Sequence, residues 1–346
     1  MDKNRYKDIE LKSNIVYNKL VKNARENWKN FQTTFRGITM SGRRTQKRVK
    51  SKVLGYIVVA IIAIIAAAYG IYAYEWDDYN GAELLGNLEL ANVEIDESKL
   101  NIFFFDVGQA DSTLIISNGR TMLIDGGNPP DGEIITNYLN EFGITRIDYL
   151  IATHAHADHI GGLATIVRNF EIGTIHMPDT DHPTRAVREF LIAMEEKNLQ
   201  YELVGIGHII HLGNAKLEVL FVDNSKPSNL NDSVIVLQMT YGNQKYLFMA
   251  DAERRIENAI EWESVNVLRT GHHGSNTSST ENFLRQTTPE IAIISVGENN
   301  WNHPRPEVLE RLANIGAQIY RTDEHGTIWL TSNGTRNTIR FLGENI

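Results

Sequence analysis

The chain of 346 residues contains no cysteine. This absence excludes disulfide bonds and thiolate metal ligands, so any metal ion must be held by histidine or carboxylate side chains. A cysteine-free chain is compatible with both oxidising and reducing compartments, so the redox environment is left open.

Charged side chains are absent from one long stretch, residues 53–74. At about 1.5 Å per residue, a helix of this length spans roughly 33 Å, which is enough to cross the hydrocarbon core of a bilayer. A buried core helix is rarely uncharged on every face for so long. A cleaved signal peptide has a shorter apolar core and a shorter preceding segment than residues 1–52. The sequence therefore predicts a transmembrane helix over 53–74.

Basic residues are scarce beyond this stretch. Residues 1–75 contain 15 Lys and Arg against 5 Asp and Glu, whereas the remainder contains 19 against 38. Six basic residues between positions 43 and 52 precede the apolar stretch, and Glu75, Asp77 and Asp78 follow it. The positive-inside rule then predicts a single-pass protein of the cell membrane with a cytoplasmic N-terminus and an extracellular C-terminal part. An inverted topology with a cytoplasmic C-terminal part is the alternative.

The charge distribution also suggests a division of the chain. We expect a basic cytoplasmic segment over 1–52, the transmembrane helix over 53–74, an acidic tether over 75–98 and one folded domain over 99–346. The basic segment is suited to the anionic lipids of the inner leaflet, and the sequence does not identify a protein partner for it. Nucleic acid is disfavoured as a partner of the acidic domain, because binding to a long polyanion depends on basic side chains that neutralise its phosphates.

From residue 100 onward, strand patterns alternate with helix patterns. Many strands with few helices in about 250 residues predict an α/β fold in which two sheets pack together and are flanked by helices. The predicted strands cover 100–105, 112–116, 121–124, 147–152, 216–222, 233–241, 244–249, 265–269, 290–296 and a final hairpin, and the predicted helices cover 132–142, 163–170, 185–197 and 306–315.

The most informative motif is the run HAHADH at residues 154–159, directly after a predicted buried strand. In an extended segment, His154 and His156 lie on the same side and both can reach one metal ion. Asp158 and His159 follow where the chain turns, and they can reach a second ion. A chance histidine-rich surface loop is the alternative, but such loops rarely show this spacing at a strand end, where α/β proteins build their sites.

Two further groups supply the same ligand types later in the chain. Asp251 closes a predicted strand, and its carboxylate has two oxygens with which to bridge two cations. His272 and His273 follow the predicted strand 265–269. Each feature is weak alone, but with the histidine run they form a set of imidazoles and carboxylates sufficient for two metal ions.

These residues resemble the metallo-β-lactamase fold. More narrowly, the chain resembles the branch found in the extracellular hydrolase domain of the competence protein ComEC and in phosphorylcholine esterases. The resemblance covers about residues 100–342, and we expect the alanines that replace two of the branch's glycines, Ala110 and Ala250, to be tolerated. The motifs that carry it are DVGQAD at 106–111, LIDGG at 123–127, HAHADH at 154–159, ADAE at 250–253, HHGS at 272–275 and the segment 295–304.

The resemblance implies a four-layer αβ/βα sandwich, preceded here by the transmembrane helix. Many members of the wider fold use a third histidine as a ligand of the first metal. Residues 229–233, where this histidine is expected, contain none, so the first metal is expected to have two histidine ligands. His272 and His273 can exchange roles, and we favour His273 as the ligand and His272 as the residue that faces the substrate. The implied assignments are His154 and His156 on one metal, Asp158, His159 and His273 on the other, Asp251 as the bridge, Asp125 orienting a ligand histidine, and Asp106 and Asp111 as turn or supporting groups.

The activity implied by the resemblance is hydrolysis of a phosphodiester by a hydroxide that bridges two divalent metals. Asp158 would hold this nucleophile, and His272 and His303 would contact a phosphoryl oxygen or protonate the leaving group. Zinc is the favoured metal and manganese the alternative, since His and carboxylate ligands accept both. A cell-envelope phosphoester is the expected substrate. An extracellular nuclease related to DNA uptake and a non-catalytic, metal-stabilised membrane sensor are the competing functions.

Overall fold

The computed structural model describes residues 93–182 and 184–343. The basic segment 1–52, the predicted transmembrane helix 53–74 and most of the predicted tether lie outside these ranges. Within them, no helix combines the length and apolar character needed to cross a bilayer. The last part of the predicted tether is described, and its Val93 and Ile95 pack against the core of the domain.

Fifteen strands and eight α-helices are present in the described ranges. The strands are β1 (Leu100–Phe104), β2 (Thr113–Ser117), β3 (Arg120–Ile124), β4 (Arg146–Ile151), β5 (Glu171–His176), β6 (Tyr201–Glu202), β7 (Ile209–Leu212), β8 (Ala215–Phe221), β9 (Val236–Tyr241), β10 (Gln244–Phe248), β11 (Val267–Arg269), β12 (Ile291–Ile294), β13 (Gln318–Arg321), β14 (Thr327–Ser332) and β15 (Asn337–Leu342). The helices are α1 (Asp131–Glu141), α2 (Ala157–Ile160), α3 (Leu163–Asn169), α4 (Arg185–Glu196), α5 (Arg254–Glu257), α6 (Glu281–Thr287), α7 (Pro306–Asn314) and α8 (Thr322–His325).

The strands form two sheets. The first has the order β15-β14-β1-β2-β3-β4-β5-β6, and the second has the order β13-β12-β11-β10-β9-β8-β7. In the first sheet β3, β4 and β5 run parallel, and in the second β10 to β13 run parallel. The carboxyl ends of parallel neighbours meet at one edge of a sheet, so the loops that follow β3 and β4, and those that follow β10 and β11, are each brought together.

The alternation of side chains on β1 shows how the layers are built. Phe103 packs outward into an apolar cluster shared with α1, α3 and α4. Ile102 and Phe104 point the other way, into a cluster that both sheets share. A third cluster lies between the second sheet and the helices α6 and α7. Three apolar interfaces separate four layers, helix–sheet–sheet–helix, and the predicted α/β sandwich with two sheets is confirmed.

Sequence patterns located most of the strands but not all of them. The NG turn at 118–119 joins β2 and β3, as expected for this hairpin signal. The strands β5, β6, β7 and β13 and the helices α2, α5, α6 and α8 carried no clear signal. β13 has no fully buried side chain, and β7 is only four residues long. β7 and β13 lie at sheet edges, whereas β5 lies between β4 and β6. Each forms because an adjacent strand offers free backbone groups, a tertiary effect that periodicity does not report.

The burial of both faces of β1 yields a stability prediction. Ile102 and Phe103 are neighbours that face different layers, and both are fully buried. We expect Ile102→Ala to cost about 2–5 kcal/mol and Phe103→Ala about 3–5 kcal/mol of unfolding free energy in urea denaturation, because each leaves a cavity. The exposed Leu191, replaced by Ala, should change it by about 0.5 kcal/mol at most. A negligible cost for either core variant would contradict the four-layer arrangement.

Candidate metal centre

All six sequence-predicted metal ligands come together at one edge of the sandwich. They form two groups, in each of which the ligand atoms lie within 4.8 Å of one another. Asp251 is the only predicted ligand that belongs to both groups. The first group is His154, His156 and Asp251, and the second is Asp158, His159, Asp251 and His273.

The two oxygens of Asp251 face different sets of histidines. Its Oδ1 lies 3.1 Å from His159 Nε2 and 3.6 Å from His273 Nε2. Its Oδ2 lies 3.8 Å from His154 Nε2 and 3.6 Å from His272 Nε2. A carboxylate with one oxygen toward each group has the arrangement required to bridge two cations.

Local backbone geometry explains how one short run contributes to both groups. The chain is extended at His156, with a ψ of 148°, and α2 begins at the next residue. His154 Nε2 therefore lies 3.0 Å from His156 Nδ1, on one side. The turn of α2 carries Asp158 and His159 to the other side, as the alternation in the sequence predicts.

Buried polar atoms without hydrogen-bond partners test whether these residues fit a metal. His159 Nε2, His273 Nε2 and Asp251 Oδ1 are buried and have no such partner. A buried polar atom left unpaired is costly, and these three converge on one another. A divalent cation between them would satisfy all three, so the side chains fit the group that the family resemblance implies.

The tautomer of His273 favours this residue as the ligand. Its Nδ1 lies 2.9 Å from the carbonyl oxygen of Ser295, which can only accept, so Nδ1 carries the proton. In the neutral ring the lone pair is then on Nε2, which lies 3.3 Å from Asp158 Oδ2. His272 is 24% exposed at its side chain and lies on the open side of the site.

Asp125, predicted to orient a ligand histidine, lies behind the metal groups. Its carboxylate accepts hydrogen bonds from His159 Nδ1 at 2.7 Å, from the Thr153 backbone N–H at 2.8 Å and from the Thr153 hydroxyl at 2.7 Å. These contacts hold the imidazole of His159 with its Nε2 toward Asp251. A partner of this kind fixes both the ring orientation and the tautomer of a metal-binding histidine.

The electrostatics of the two groups differ. Burial, reinforced by the neighbouring His159, lowers the pKa of His154 well below its ordinary value, so the ring is neutral at pH 7 and keeps a lone pair for a metal. Burial also disfavours a charged His159, but the carboxylates of Asp251 and Asp125 on either side raise its pKa well above the ordinary value. The excess of negative charge that favours a proton here equally favours a metal cation.

Arg269 is a structural contributor that the sequence analysis missed. Its side chain is 1% exposed, and its Nη2 lies 2.6 Å from Asp111 Oδ2. Its Nη1 donates to the carbonyl oxygens of Ala250, at 2.8 Å, and Thr270, at 2.6 Å. The backbone N–H of Asp111 in turn donates to the carbonyl of Asp158, at 3.0 Å. Arg269 thus connects the residue before Asp251 with the loop that carries Asp158. The available signal was one arginine inside the apolar strand that precedes HHGS.

The other sequence-predicted residues occupy the surroundings of the site. Asp106 accepts from the backbone N–H of Gly108 at 3.2 Å and shapes a turn. The ring of His303 lies 5.6 Å from that of His272. Burial, with a contribution from the adjacent His272, lowers the pKa of His303 to about 4, so it is neutral at pH 7 and suited to hydrogen bonding rather than to supplying a proton.

Glu253, in the ADAE motif, was not among the predicted site residues, yet it contacts His272. Its Oε1 lies 3.1 Å from His272 Nδ1 and accepts from the Thr277 hydroxyl at 2.7 Å. Because a carboxylate accepts, His272 carries its proton on Nδ1 and turns Nε2 toward Asp251. Glu253 therefore determines which nitrogen of His272 faces the site.

Backbone conformations in the left-handed region cluster here. Asp125, Ala250, His272 and His273 have φ values of 60°, 45°, 49° and 51°. Ala250 occupies a position where the branch has glycine. The backbone at this position has a positive φ, a conformation that a residue with a Cβ disfavours, which explains the glycine. The alanine is accommodated at a conformation that costs energy, and the neighbouring hydrogen bonds to its carbonyl hold it in place.

A variant of Arg269 would test its contribution to the metal groups. We expect Arg269→Met to lower the affinity of the metal-stripped chain for Zn²⁺ or Mn²⁺ about 10- to 100-fold, because Asp111 and the Ala250 carbonyl lose their donor. Arg269→Lys, which keeps the charge, should lose less metal affinity. Titration calorimetry measures the affinity of both variants, with Arg285→Met, at an exposed position, as the control. Wild-type affinity in a folded Arg269→Met chain would refute this contribution.

Metal removal provides a second test. A chain that binds the ion only when folded gains about 2.7 kcal/mol of unfolding free energy at a metal concentration 100 times the dissociation constant. We therefore expect a chelator to lower the thermal midpoint and added Zn²⁺ or Mn²⁺ to restore it, with little response in Asp251→Asn. Equal midpoints with and without metal in the wild type would count against the site.

Comparison with known proteins agrees with the geometry. The chain is 30% identical over 254 residues to ComE operon protein 3 of Bacillus subtilis, and the aligned region covers 67% of this chain and 33% of that protein. It is 31% identical over 232 residues to Recombination protein 2 of Haemophilus influenzae, covering 64% and 28%. It is 24% identical over 216 residues to Endoribonuclease ysh1 of Schizosaccharomyces pombe, covering 60% and 26%. The match thus spans about a third or less of each relative.

The first two similarities confirm the resemblance to the ComEC-like competence proteins. The family model described as the metallo-beta-lactamase superfamily matches residues 105–298, more than half of the chain. This range contains the histidine run, Asp251 and the histidine pair. Since the matching region carries the ligand groups and folds as the two-sheet sandwich, the chain belongs to the metallo-beta-lactamase superfamily.

Proposed function

We propose that the chain is a membrane-anchored hydrolase of phosphodiester bonds that uses two divalent metal ions. The observation that carries this proposal is the position of Asp251, whose Oδ1 faces one ligand group and whose Oδ2 faces the other. When bound, two cations in such a site supply a hydroxide nucleophile near neutral pH and neutralise charge on the phosphoryl group. Zinc is the favoured ion and manganese the alternative.

Asp158 is suited to orient an attacking water. Burial opposes its ionisation, but the neighbouring imidazoles of His273 and His159 hold the pKa of Asp158 well below its ordinary value. The side chain is 32% exposed, so it can be reached from the open side of the site. An ionised carboxylate in this position accepts a hydrogen bond from the water and aligns it with the phosphorus atom.

His272 is the group best placed to contact the substrate. Its Nδ1 proton is committed to Glu253, and its Nε2 faces the site beside Asp251 Oδ2. Burial opposes a charged ring, but Asp251 and Glu253 raise the pKa of His272. A protonated His272 can donate to a phosphoryl oxygen or pass a proton to the leaving alkoxide. Glu253 acts through His272 as a positioning residue.

A phosphodiester is favoured as the substrate for two reasons. A relative is named an endoribonuclease, and ribonuclease chemistry is phosphodiester cleavage. A pair of bridged cations is also suited to stabilise both the attacking and the leaving oxygen at phosphorus. Residues 76–346 contain 19 basic and 38 acidic side chains. This excess of negative charge favours a substrate with few phosphates over a long polyanion.

The membrane anchor and its orientation belong to the same proposal. They are supported by the uncharged stretch 53–74, the basic residues before it and the acidic residues after it. Protease added to intact cells should digest the hydrolase domain and spare the N-terminal segment. A protected hydrolase domain would place it in the cytoplasm and overturn the orientation.

The activity itself is tested on the full-length chain, metal-stripped and reloaded with Zn²⁺ or Mn²⁺. We expect metal-dependent hydrolysis of bis-p-nitrophenyl phosphate. Asp251→Asn and His156→Ala should each lower turnover about 100-fold or more, because each removes a metal ligand worth several kcal/mol in the transition state.

His211→Ala, at an exposed histidine of β7, is the matched control and should retain turnover. Circular dichroism establishes that each variant is folded. Undiminished turnover in both ligand variants would show that the reaction occurs elsewhere. No turnover by the wild type with either metal would reject the phosphodiester assignment.

A further inference from the structure

An exposed tryptophan lies beside the metal groups. The large apolar side chains exposed in the described ranges are four aliphatic residues and Trp301, which is 64% exposed. A large aromatic ring exposed to water leaves much apolar surface unburied, and burial of this surface against a ligand would be favourable.

The loop that presents Trp301 is held rigidly by Asn299. The Asn299 Oδ1 accepts from the backbone N–H groups of Trp301, at 3.0 Å, and His303, at 2.9 Å. Its Nδ2 donates to the carbonyls of Gly297 and His303, both at 2.8 Å. One side chain therefore closes the loop with four hydrogen bonds and holds the backbone on both sides of Trp301.

The same loop is fastened to two motifs of the site. The Gly297 N–H donates to Gln109 Oε1 at 3.3 Å, in the DVGQAD turn. A Cβ at position 297 would lie 2.4 Å from the Cα of Gly108, so only glycine permits this close approach. The Arg305 N–H donates to the carbonyl of Gly274, at 2.9 Å, in the HHGS loop. A surface fixed in this way binds a ligand with little ordering cost.

A series of rings connects Trp301 with the metal groups. The ring centroid of Trp301 lies 6.4 Å from that of His303, and the two planes are tilted by 31°. His303 lies 5.6 Å from His272, whose Nε2 is 3.6 Å from Asp251 Oδ2. Trp301 is thus placed beyond His303 on the open side of the site, where an ester arm of a substrate would extend.

We propose that Trp301 is a stacking surface for a planar ring on one ester arm of the substrate, so that the preferred substrates are phosphodiesters that carry a heteroaromatic base. This inference rests on the proposed phosphodiesterase function and adds its substrate class. A tryptophan offers a flat face to any base, and such stacking is sequence-tolerant. The neutral imidazole of His303 extends the apolar surface toward the scissile bond.

The charge beside Trp301 favours a ring-bearing phosphodiester over a quaternary ammonium headgroup. Arg305 Nη1 donates to the carbonyl oxygen of Trp301 at 3.4 Å. The guanidinium lies beside the Trp301 backbone, and its Nε lies 3.7 Å from Glu307 Oε2, which offsets part of its charge. Its remaining N–H donors are suited to a phosphate oxygen rather than to a cationic ligand. An aromatic face with an adjacent arginine is the combination that single-stranded nucleic-acid sites use, here on a surface for one or a few nucleotides.

The kinetic test compares two esters that share one leaving group. Thymidine 5′-p-nitrophenyl phosphate and methyl p-nitrophenyl phosphate are supplied to the full-length, metal-loaded chain. We expect the wild type to favour the thymidine ester in kcat/KM by about 10-fold, through KM, which is the usual size of one stacking contact. Trp301→Ala should abolish this preference, and Trp301→Phe should restore most of it.

Ile192→Ala, at an exposed aliphatic residue of α4, is the control and should leave the preference unchanged. A thymidine preference that persists in Trp301→Ala would overturn the inference. A wild type that prefers p-nitrophenyl phosphorylcholine to the thymidine ester, with this preference lost in Trp301→Ala, would overturn the ring assignment in favour of a cationic headgroup.

A binding measurement separates the failure of this inference from that of the proposed function. Equilibrium dialysis with thymidine 5′-monophosphate should show about 10-fold weaker binding to Trp301→Ala than to the wild type. Binding through Trp301 without hydrolysis of either ester would reject the proposed function and support the stacking surface. Hydrolysis of the methyl ester with unaltered nucleotide binding in Trp301→Ala would support the function and reject the stacking surface.

Discussion

The buried ion pair between Asp111 and Arg269 is the interaction on which the geometry of the site depends. The ligands come from two sheets, and nothing in either sheet alone sets their separation. Asp111 bonds to the backbone of Asp158 in the first sheet's loop, and Arg269 bonds to the carbonyl of Ala250 beside Asp251 in the second. Because an unpaired charge at this depth is strongly unfavourable, the two loops are held in one relative position.

That position is maintained against backbone strain. Asp125, Ala250, His272 and His273 adopt left-handed conformations, each at a cost of about 1–2 kcal/mol. The apolar interfaces of the four layers and the hydrogen bonds around these residues offset the cost. The strain has a geometric result: it turns His273 inward and leaves His272 at the open side, so two adjacent residues can serve different purposes. A regular helix or strand would not separate two neighbours in this way while keeping both near Asp251.

Much of this arrangement could be predicted from local sequence. The spacing of His154, His156, Asp158 and His159 indicated both ligand groups, because side-chain alternation and the following turn depend only on neighbours along the chain. The long apolar strands were found for the same reason. The strands β5, β6, β7 and β13 were missed, since pairing with a neighbouring strand stabilises them and their own sequences show no clear periodicity. Arg269 and Glu253 were missed because each acts through contacts with residues distant in the sequence.

The sequence by itself determined the chemical types of the ligands, the exclusion of thiolates, the strand ends at which the ligands stand and the uncharged stretch of membrane-spanning length. These properties follow from composition and short-range periodicity. Only the tertiary structure decided which oxygen of Asp251 faces which histidines, which nitrogen of His272 and His273 carries a proton, and that Trp301 stands beyond His303 in a rigid loop. These properties depend on contacts between residues far apart in the chain, which close only when the two sheets pack.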